Sequence, residues 1–247
     1  MTTPGALLFD FGGTLDVPGS HWLDRFLSHY LAAGMRLSRE QLDPAFAYAT
    51  TMGYREGTTM HNRGLGELIR FLVDLQLDYL SSHGPDEVRS QLGGLAATGR
   101  ARLLERISAG FIDQSARGLA ESREVLSILA SRFRLGVISN FYGNLDRILA
   151  DAGMRNLFAT IIDSARLGVF KPALRIFEAA LEALAIPPAQ AAMIGDSLDK
   201  DCIPARSLGM KTVWMRPVLG GSVDDAGDSR LVDHTIGTLR ELVELQW

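Results

Sequence analysis

Lysine and cysteine are the scarce residues of this 247-residue chain. A single cysteine, Cys202, excludes an internal disulfide framework and a four-cysteine zinc site. Only Lys171, Lys200 and Lys211 are lysines among 25 basic residues, so chemistry that needs an ammonium has few places to go. An excess of positive charge is also missing. Twenty-five basic against 29 acidic side chains leave a net charge of −4, without the electrostatic footprint of a nucleic-acid or anionic-membrane binder. No apolar run approaches the roughly 20 residues that span a bilayer. No basic stretch precedes Leu7-Leu8-Phe9 as in a secretory leader. The expectation is a soluble, cytoplasmic protein. With 47% hydrophobic and 22% charged residues, disorder and fibrous structure are excluded. The length suits one large α/β domain or a core with a smaller insert.

Residues 5–10 form an apolar run ending in an acid, the pattern of a buried parallel strand, which Gly12-Gly13 breaks. From about 20 to 110 only helical periodicity appears, as in Trp22, Phe26, Leu27, Tyr30 and in Leu65, Leu68, Ile69, Leu72. Pro85-Asp86-Glu87 reads as a helix start. This stretch predicts four or five helices. From about 120, strands and helices alternate: helix 121–132, strand 134–139, helix 143–153, strand 159–163, helix 172–185, strand 191–195, helix 199–208 and strand 211–215. A polar loop from Gly220-Gly221 to Ser229, an edge strand 231–236 and a helix 238–246 complete the chain. Such alternation implies right-handed βαβ crossovers and a parallel sheet. The opening strand joins that sheet, and the helical segment interrupts one domain.

Ligands in such sheets bind at the carboxyl ends of strands. The polar residues there are Asp10, Ser139-Asn140 and Asp196. Together with Lys171-Pro172 opening a helix and Asp201 closing Gly195-Asp-Ser-Leu-Asp-Lys-Asp, they form a constellation. Taken singly each has an ordinary reading: a strand-ending Asp is usually a cap, and a lone Lys a surface residue. A phosphate monoester dianion repels a nucleophile, so a site acting on one must neutralise it and hold the attacking oxygen in line. An aspartate can be that nucleophile, and Mg²⁺ suits carboxylate and carbonyl oxygens.

The phrases Leu-Leu-Phe-Asp10-Phe-Gly-Gly-Thr-Leu-Asp, Val-Ile-Ser139-Asn140, Gly-Val-Phe-Lys171-Pro and Ile-Gly-Asp196-Ser-Leu-Asp-Lys-Asp201 resemble the four motifs of the haloacid dehalogenase superfamily. The resemblance covers essentially the whole chain and is to the subgroup with a helical cap inserted after the first motif. It implies a doubly wound, Rossmann-like α/β core over 1–16 and 112–247 and an all-helical cap over 17–111. It implies Asp10 as nucleophile, and Mg²⁺ held by Asp10, the Gly12 carbonyl and Asp196. Ser139 and the Asn140 backbone amide would bind phosphate. Lys171 would neutralise the phosphate and Asp10, while Asp201 would hold a metal-bound water or orient Lys171. The implied activity is Mg²⁺-dependent hydrolysis of a small phosphorylated metabolite through an aspartyl-phosphate.

One position departs from the pattern. Family phosphatases carry a second aspartate, the general acid/base, where this chain has Gly12. The carbonyl survives and the acid/base does not; such a group contributes ~10²–10⁴-fold. Asp16 is a nearby carboxylate that either deputises or belongs to the linker. Phosphonoacetaldehyde hydrolases also lack the second aspartate, but need a cap lysine, and none precedes residue 171. Phosphomutases need the missing aspartate. Haloacid dehalogenases use a lone aspartate without Mg²⁺, whereas Asp196 and Asp201 keep a metal pattern. A binding protein without turnover remains a further alternative. His21, Trp22, Arg25, Tyr54, Arg55 and His61 could face a substrate or be ordinary helix residues. Met52 and Met60 read as core filler and Cys202 as a buried thiol.

Overall fold

A computed structural model describes residues 3–216 and 231–247; the expected polar loop from Gly220 to Ser229 lies outside them. Two compact units emerge, Met1–Ser20 with Ala116–Trp247, and His21–Ser115. Among the described residues no helix is long and apolar enough to cross a membrane.

The first unit is a six-stranded sheet in which every strand pair is parallel. Its strands are β1 (Ala6–Phe9), β2 (Arg134–Ser139), β3 (Phe158–Asp163), β4 (Ala191–Gly195), β5 (Lys211–Met215) and β6 (His234–Ile236), in the order β3-β2-β1-β4-β5-β6. The order reverses beside β1, which creates the crevice where doubly wound sheets bind ligands. All four β1 residues are buried, as a strand covered on both faces requires. One face packs beneath helix Leu174–Leu184, whose Ile176, Phe177, Ala180, Leu181 and Leu184 meet Ala6, Leu8, Ile138 and Met193. The sheet's expected strands all form, the last one shortened to three residues at the sheet edge.

The helical unit contains α1 (Trp22–Ala32), α2 (Arg39–Arg55), α3 (Leu65–His83), α4 (Asp86–Gly93) and the start of α5 (Ala97–Leu129). The expected helix 121–132 is the end of this 33-residue helix. Its glycines do not break it, because Gly costs only about 1 kcal/mol in a helix interior. Phe26 stacks on Phe111 with centroids 4.4 Å apart, and Trp22 meets the same ring edge-on at 5.1 Å. Pro85 sits at the N-cap of α4 and the acids Asp86 and Glu87 in its first turn. The unit boundaries fall at Ser20/His21 and, inside α5, at Ser115/Ala116, a few residues beyond the 17–111 expected for the helical segment.

After α5 come α6 (Leu145–Asp151), α7 (Ser164–Leu167), α8 (Leu174–Leu184), α9 (Ile203–Ser207) and α10 (Glu241–Glu244). The expected single helix 199–208 divides instead. A wider π turn spans Leu198–Cys202, and α9 follows with Pro204 in its first turn. Proline has no N–H to carry an α ladder across this point. The expected helix 238–246 is confined to one turn.

Candidate active site at the strand ends

Register sets the site. Phe9 pairs with Val137 on β2 and Ile194 on β4, and the Asp10 N–H donates to the Ile194 carbonyl at 2.9 Å. Asp10 and Asp196 therefore leave adjacent strands at the sheet's reversal point, Asp196 one residue beyond the level of Asp10. One carboxylate oxygen from each of Asp10, Asp196 and Asp201 falls within 4.8 Å of the others. Lys171 closes the cluster: its Nζ lies 2.8 Å from Asp10 Oδ1 and 2.6 Å from Asp201 Oδ1.

The sequence between these residues explains the convergence. Asp201 rides the π turn, and its second oxygen accepts from the Ser197 N–H at 3.1 Å. Ser197 caps the turn through the Lys200 N–H. The Trp214 indole donates to the Asp196 carbonyl at 3.0 Å. Gly13 has φ +81°, and a Cβ there would collide with the Asp196 carboxylate. Gly12 is outside the left-handed region, so its backbone angle does not demand glycine.

Three carboxylates, Asp10 and Asp201 buried and Asp196 half-buried, face one ammonium and shape the electrostatics. Burial would lower the Lys171 pKa, but Asp10 and Asp201 outweigh it and hold the ammonium above its usual range. Burial pushes Asp201 up to about 6; Lys171 opposes this and Asp10 adds to it. Asp196 is raised too, by burial first and then by Asp10 and Asp201. A cluster with this excess of oxygen charge fits a hard divalent cation, which binds carboxylate and carbonyl oxygens and balances the two surplus charges. Burial, followed by Asp201 and Asp196, raises the Cys202 thiol, making it a structural sulfur rather than a thiolate nucleophile.

Ser139 ends β2 and is buried. The Asn140 side chain is committed elsewhere: its Nδ2 donates to the Lys171 carbonyl at 3.0 Å, and its Oδ1 accepts from the Lys171 N–H at 2.7 Å. Asn140 thus fixes the backbone that carries Lys171. Asp16 is fully buried, and its Oδ1 accepts from the Gly13 and Val17 N–H groups at 2.7 Å. That carboxylate organises the loop after β1.

Two supporting residues escaped the sequence reading. Asp163 accepts from the N–H groups of Gly143, Leu145 and Ala165, and Ser164 Oγ accepts from Phe141 N–H and donates to its carbonyl. Together they hold the loop after Ser139. Asp163 closes a strand as Asp10 and Asp196 follow theirs, so strand-end position was the available signal. Of the helical-unit candidates, His21 is the N-cap of α1, accepting from the Leu23 N–H. Arg25 is buried over the Phe111 ring and donates to Ser115 and Gln114. Trp22 and Met60 are buried, while Arg55 is exposed.

Residues 4–209 match a family model described as a hydrolase, haloacid dehalogenase-like hydrolase. The chain is 31% identical over 128 residues to glyceraldehyde 3-phosphate phosphatase of Methanocaldococcus jannaschii, over 50% of this chain and 53% of that protein. It is 34% identical over 109 residues to phosphoserine phosphatase of Thermus thermophilus, over 44% of this chain and 42% of that protein. The matches thus span about half the length of these relatives. A solved dehalogenase with intermediate complex shares the fold with a TM-score of 0.61 at 16% identity, covering 98% of this chain and 96% of that chain.

Proposed function

The chain belongs to the haloacid dehalogenase-like hydrolase family, and from that premise we propose that it is a phosphatase acting on a small phosphorylated metabolite through Asp10. The observation that carries this reading is the buried Lys171 ammonium held between the buried carboxylates of Asp10 and Asp201, with the half-buried Asp196 completing the cluster. Phosphatase relatives support the substrate class. Asp10, the Gly12 carbonyl and Asp196 would hold Mg²⁺, which when bound would offset the charge of the phosphate.

Asp10 attacks phosphorus, the bond from phosphorus to the ester oxygen breaks, and an aspartyl-phosphate forms. Lys171 neutralises the phosphate and, 2.8 Å from Asp10 Oδ1, orients the nucleophile. Asp201 and Asn140 position Lys171, and Ser139 with the Asn140 N–H receives phosphate oxygens. The leaving oxygen takes its proton from solvent, because Gly12 offers none. Water then attacks phosphorus, releasing inorganic phosphate and restoring the Asp10 carboxylate. Asp16 does not stand in for the missing acid/base in this account, since its buried carboxylate is spent on the loop's own N–H groups. Good leaving groups are therefore favoured over alkyl phosphates.

A panel of phosphorylated metabolites, aryl phosphates and 2-haloacids, assayed with Mg²⁺ and with chelator, tests the reading. Phosphate release that needs Mg²⁺ and vanishes in Asp10→Asn is expected. Chelator-resistant halide release from a 2-haloacid would replace it with the dehalogenase reading.

A further inference from the structure

A cleft of about 620 Å³ within the helical unit is lined by three arginines, Arg36, Arg102 and Arg106. We propose that this cleft binds a small organic polyanion, through phosphate or carboxylate oxygens, independently of the strand-end cluster.

Charge pairing separates these arginines from four others of the unit. Elsewhere in the unit Arg39 pairs with Asp24, Arg70 with Glu105, Arg89 with Asp86, and Arg100 with both Asp74 and Asp78. Arg36, Arg102 and Arg106 have no carboxylate partner among the described residues. Arg102 and Arg106 stand four residues apart on α5, a spacing at which like charges repel. An anionic ligand would offset that repulsion.

The cleft is also shaped. The Gln91 side chain clamps the Arg36 backbone, accepting from its N–H and donating to its carbonyl, both at 2.8 Å. Arg106 Nη2 donates to the Ala32 carbonyl at 2.9 Å, at the end of α1. Its place is thereby fixed, with further N–H groups left to donate. Arg102 spends only its Nε, in a 3.4 Å contact with the Thr98 carbonyl. The Arg36 guanidinium has no intramolecular hydrogen bond among the described residues. Met35, Leu95 and Leu103 supply an apolar wall, and the volume is that of ordinary small-molecule sites. Guanidinium forks match phosphate and carboxylate oxygens two at a time. Three of them beside an apolar wall fit an organic molecule with two or more anionic groups.

Isothermal titration of the full chain with pyrophosphate, and separately with citrate, in chelator and low salt, tests the proposal. Saturable binding of one equivalent is expected, tighter than about 1 mM and weakening as salt is raised. The anion that binds more tightly identifies phosphate or carboxylate as the recognised group. R36Q combined with R102Q should weaken that binding by at least about tenfold, the loss expected for two charge-assisted contacts. Both side chains are exposed, so the variant's melting temperature should match the parent's. The charge-preserving pair R36K and R102K should bind with intermediate affinity. No saturable binding of either anion would overturn the proposal. So would unchanged affinity in R36Q/R102Q, which would assign the bound anion to the strand-end cluster instead.

Discussion

Lys171 and Asp201 in the α/β unit lie 2.6 Å apart with side chains 2% and 1% exposed, whereas Arg70 and Glu105 in the helical unit lie 2.9 Å apart with side chains 46% and 55% exposed. The geometry is nearly the same and the energetics are not. An exposed pair exchanges water for a partner in a high dielectric and gains about 0–1 kcal/mol. A buried pair has given up its water, and stripping one partner leaves an uncompensated charge at a cost of about 3–5 kcal/mol. An apolar substitute of similar volume often serves stability as well as a buried pair does. The difference fits the proposed chemistry: the strand-end charges are buried at a cost that stability alone does not repay, while the exposed ion pairs of the helical unit lie on its surface.

The largest effect should come from breaking the buried side of this contrast. Lys171→Met leaves three carboxylates facing one another, and urea unfolding should report a loss of about 3–5 kcal/mol. A loss under about 1 kcal/mol would erase the distinction between the two regions. Asp10→Asn removes one of the crowded negative charges. It should therefore abolish turnover while leaving the melting temperature equal to the parent's or above it, a trade expected where function stores repulsion. A marked drop in melting temperature would contradict this.

Gly13→Ala comes next. It forces a left-handed residue to carry a Cβ directed at the Asp196 carboxylate. Its backbone penalty is about 1–2 kcal/mol, with activity falling further because Asp196 must move. Arg70→Ala should change stability by no more than about 1 kcal/mol, and less in high salt.

The smallest effect concerns His29, about half buried in the helical unit. Burial lowers its pKa below 6.5; the Gln114 hydrogen bond partly opposes this, and Arg25 adds to it. A lowered histidine pKa means that stability is complete above the unfolded value of 6.5 and declines as pH falls through it. Melting temperatures between neutral and mildly acidic pH should show a shallower decline in His29→Gln than in the parent.

The two regions also differed in how far they were legible. Strand ends in the α/β unit could be read because an apolar run that stops at an acid has few other meanings in a parallel sheet, and Asp10, Ser139, Asp196 and Asp201 all fall where such runs end or just beyond. Asp163 was missed because it is also the N-cap of α7, accepting from the Ala165 N–H, and a single capping acid carries no mark of its further bonds. The Asn140 side chain was assigned no partner, since Lys171 is 31 residues away and only the fold brings them together. In the helical unit, periodicity located helices but not the directions of polar side chains. Arg25 and Arg102 look alike in sequence, yet one is buried and the other lines an open cleft. The π turn before α9 was hidden because Leu198–Ser207 has ordinary helical composition apart from Pro204.

The central claim is that Asp10 is a covalent nucleophile whose phosphorylated form lacks its usual acid/base at Gly12. Rapid-mixing kinetics with p-nitrophenyl phosphate and Mg²⁺ test it most directly. A good leaving group needs no proton, so the first step stays fast while hydrolysis of the phosphoenzyme is slowed by up to the ~10²–10⁴-fold a general base supplies. A burst of nitrophenolate approaching one equivalent is expected, with phosphate found on the Asp10 peptide and loss of the burst in Gly12→Asp as steady turnover rises. Linear release from the first turnover, with no phosphate on Asp10 and no gain in Gly12→Asp, would contradict it.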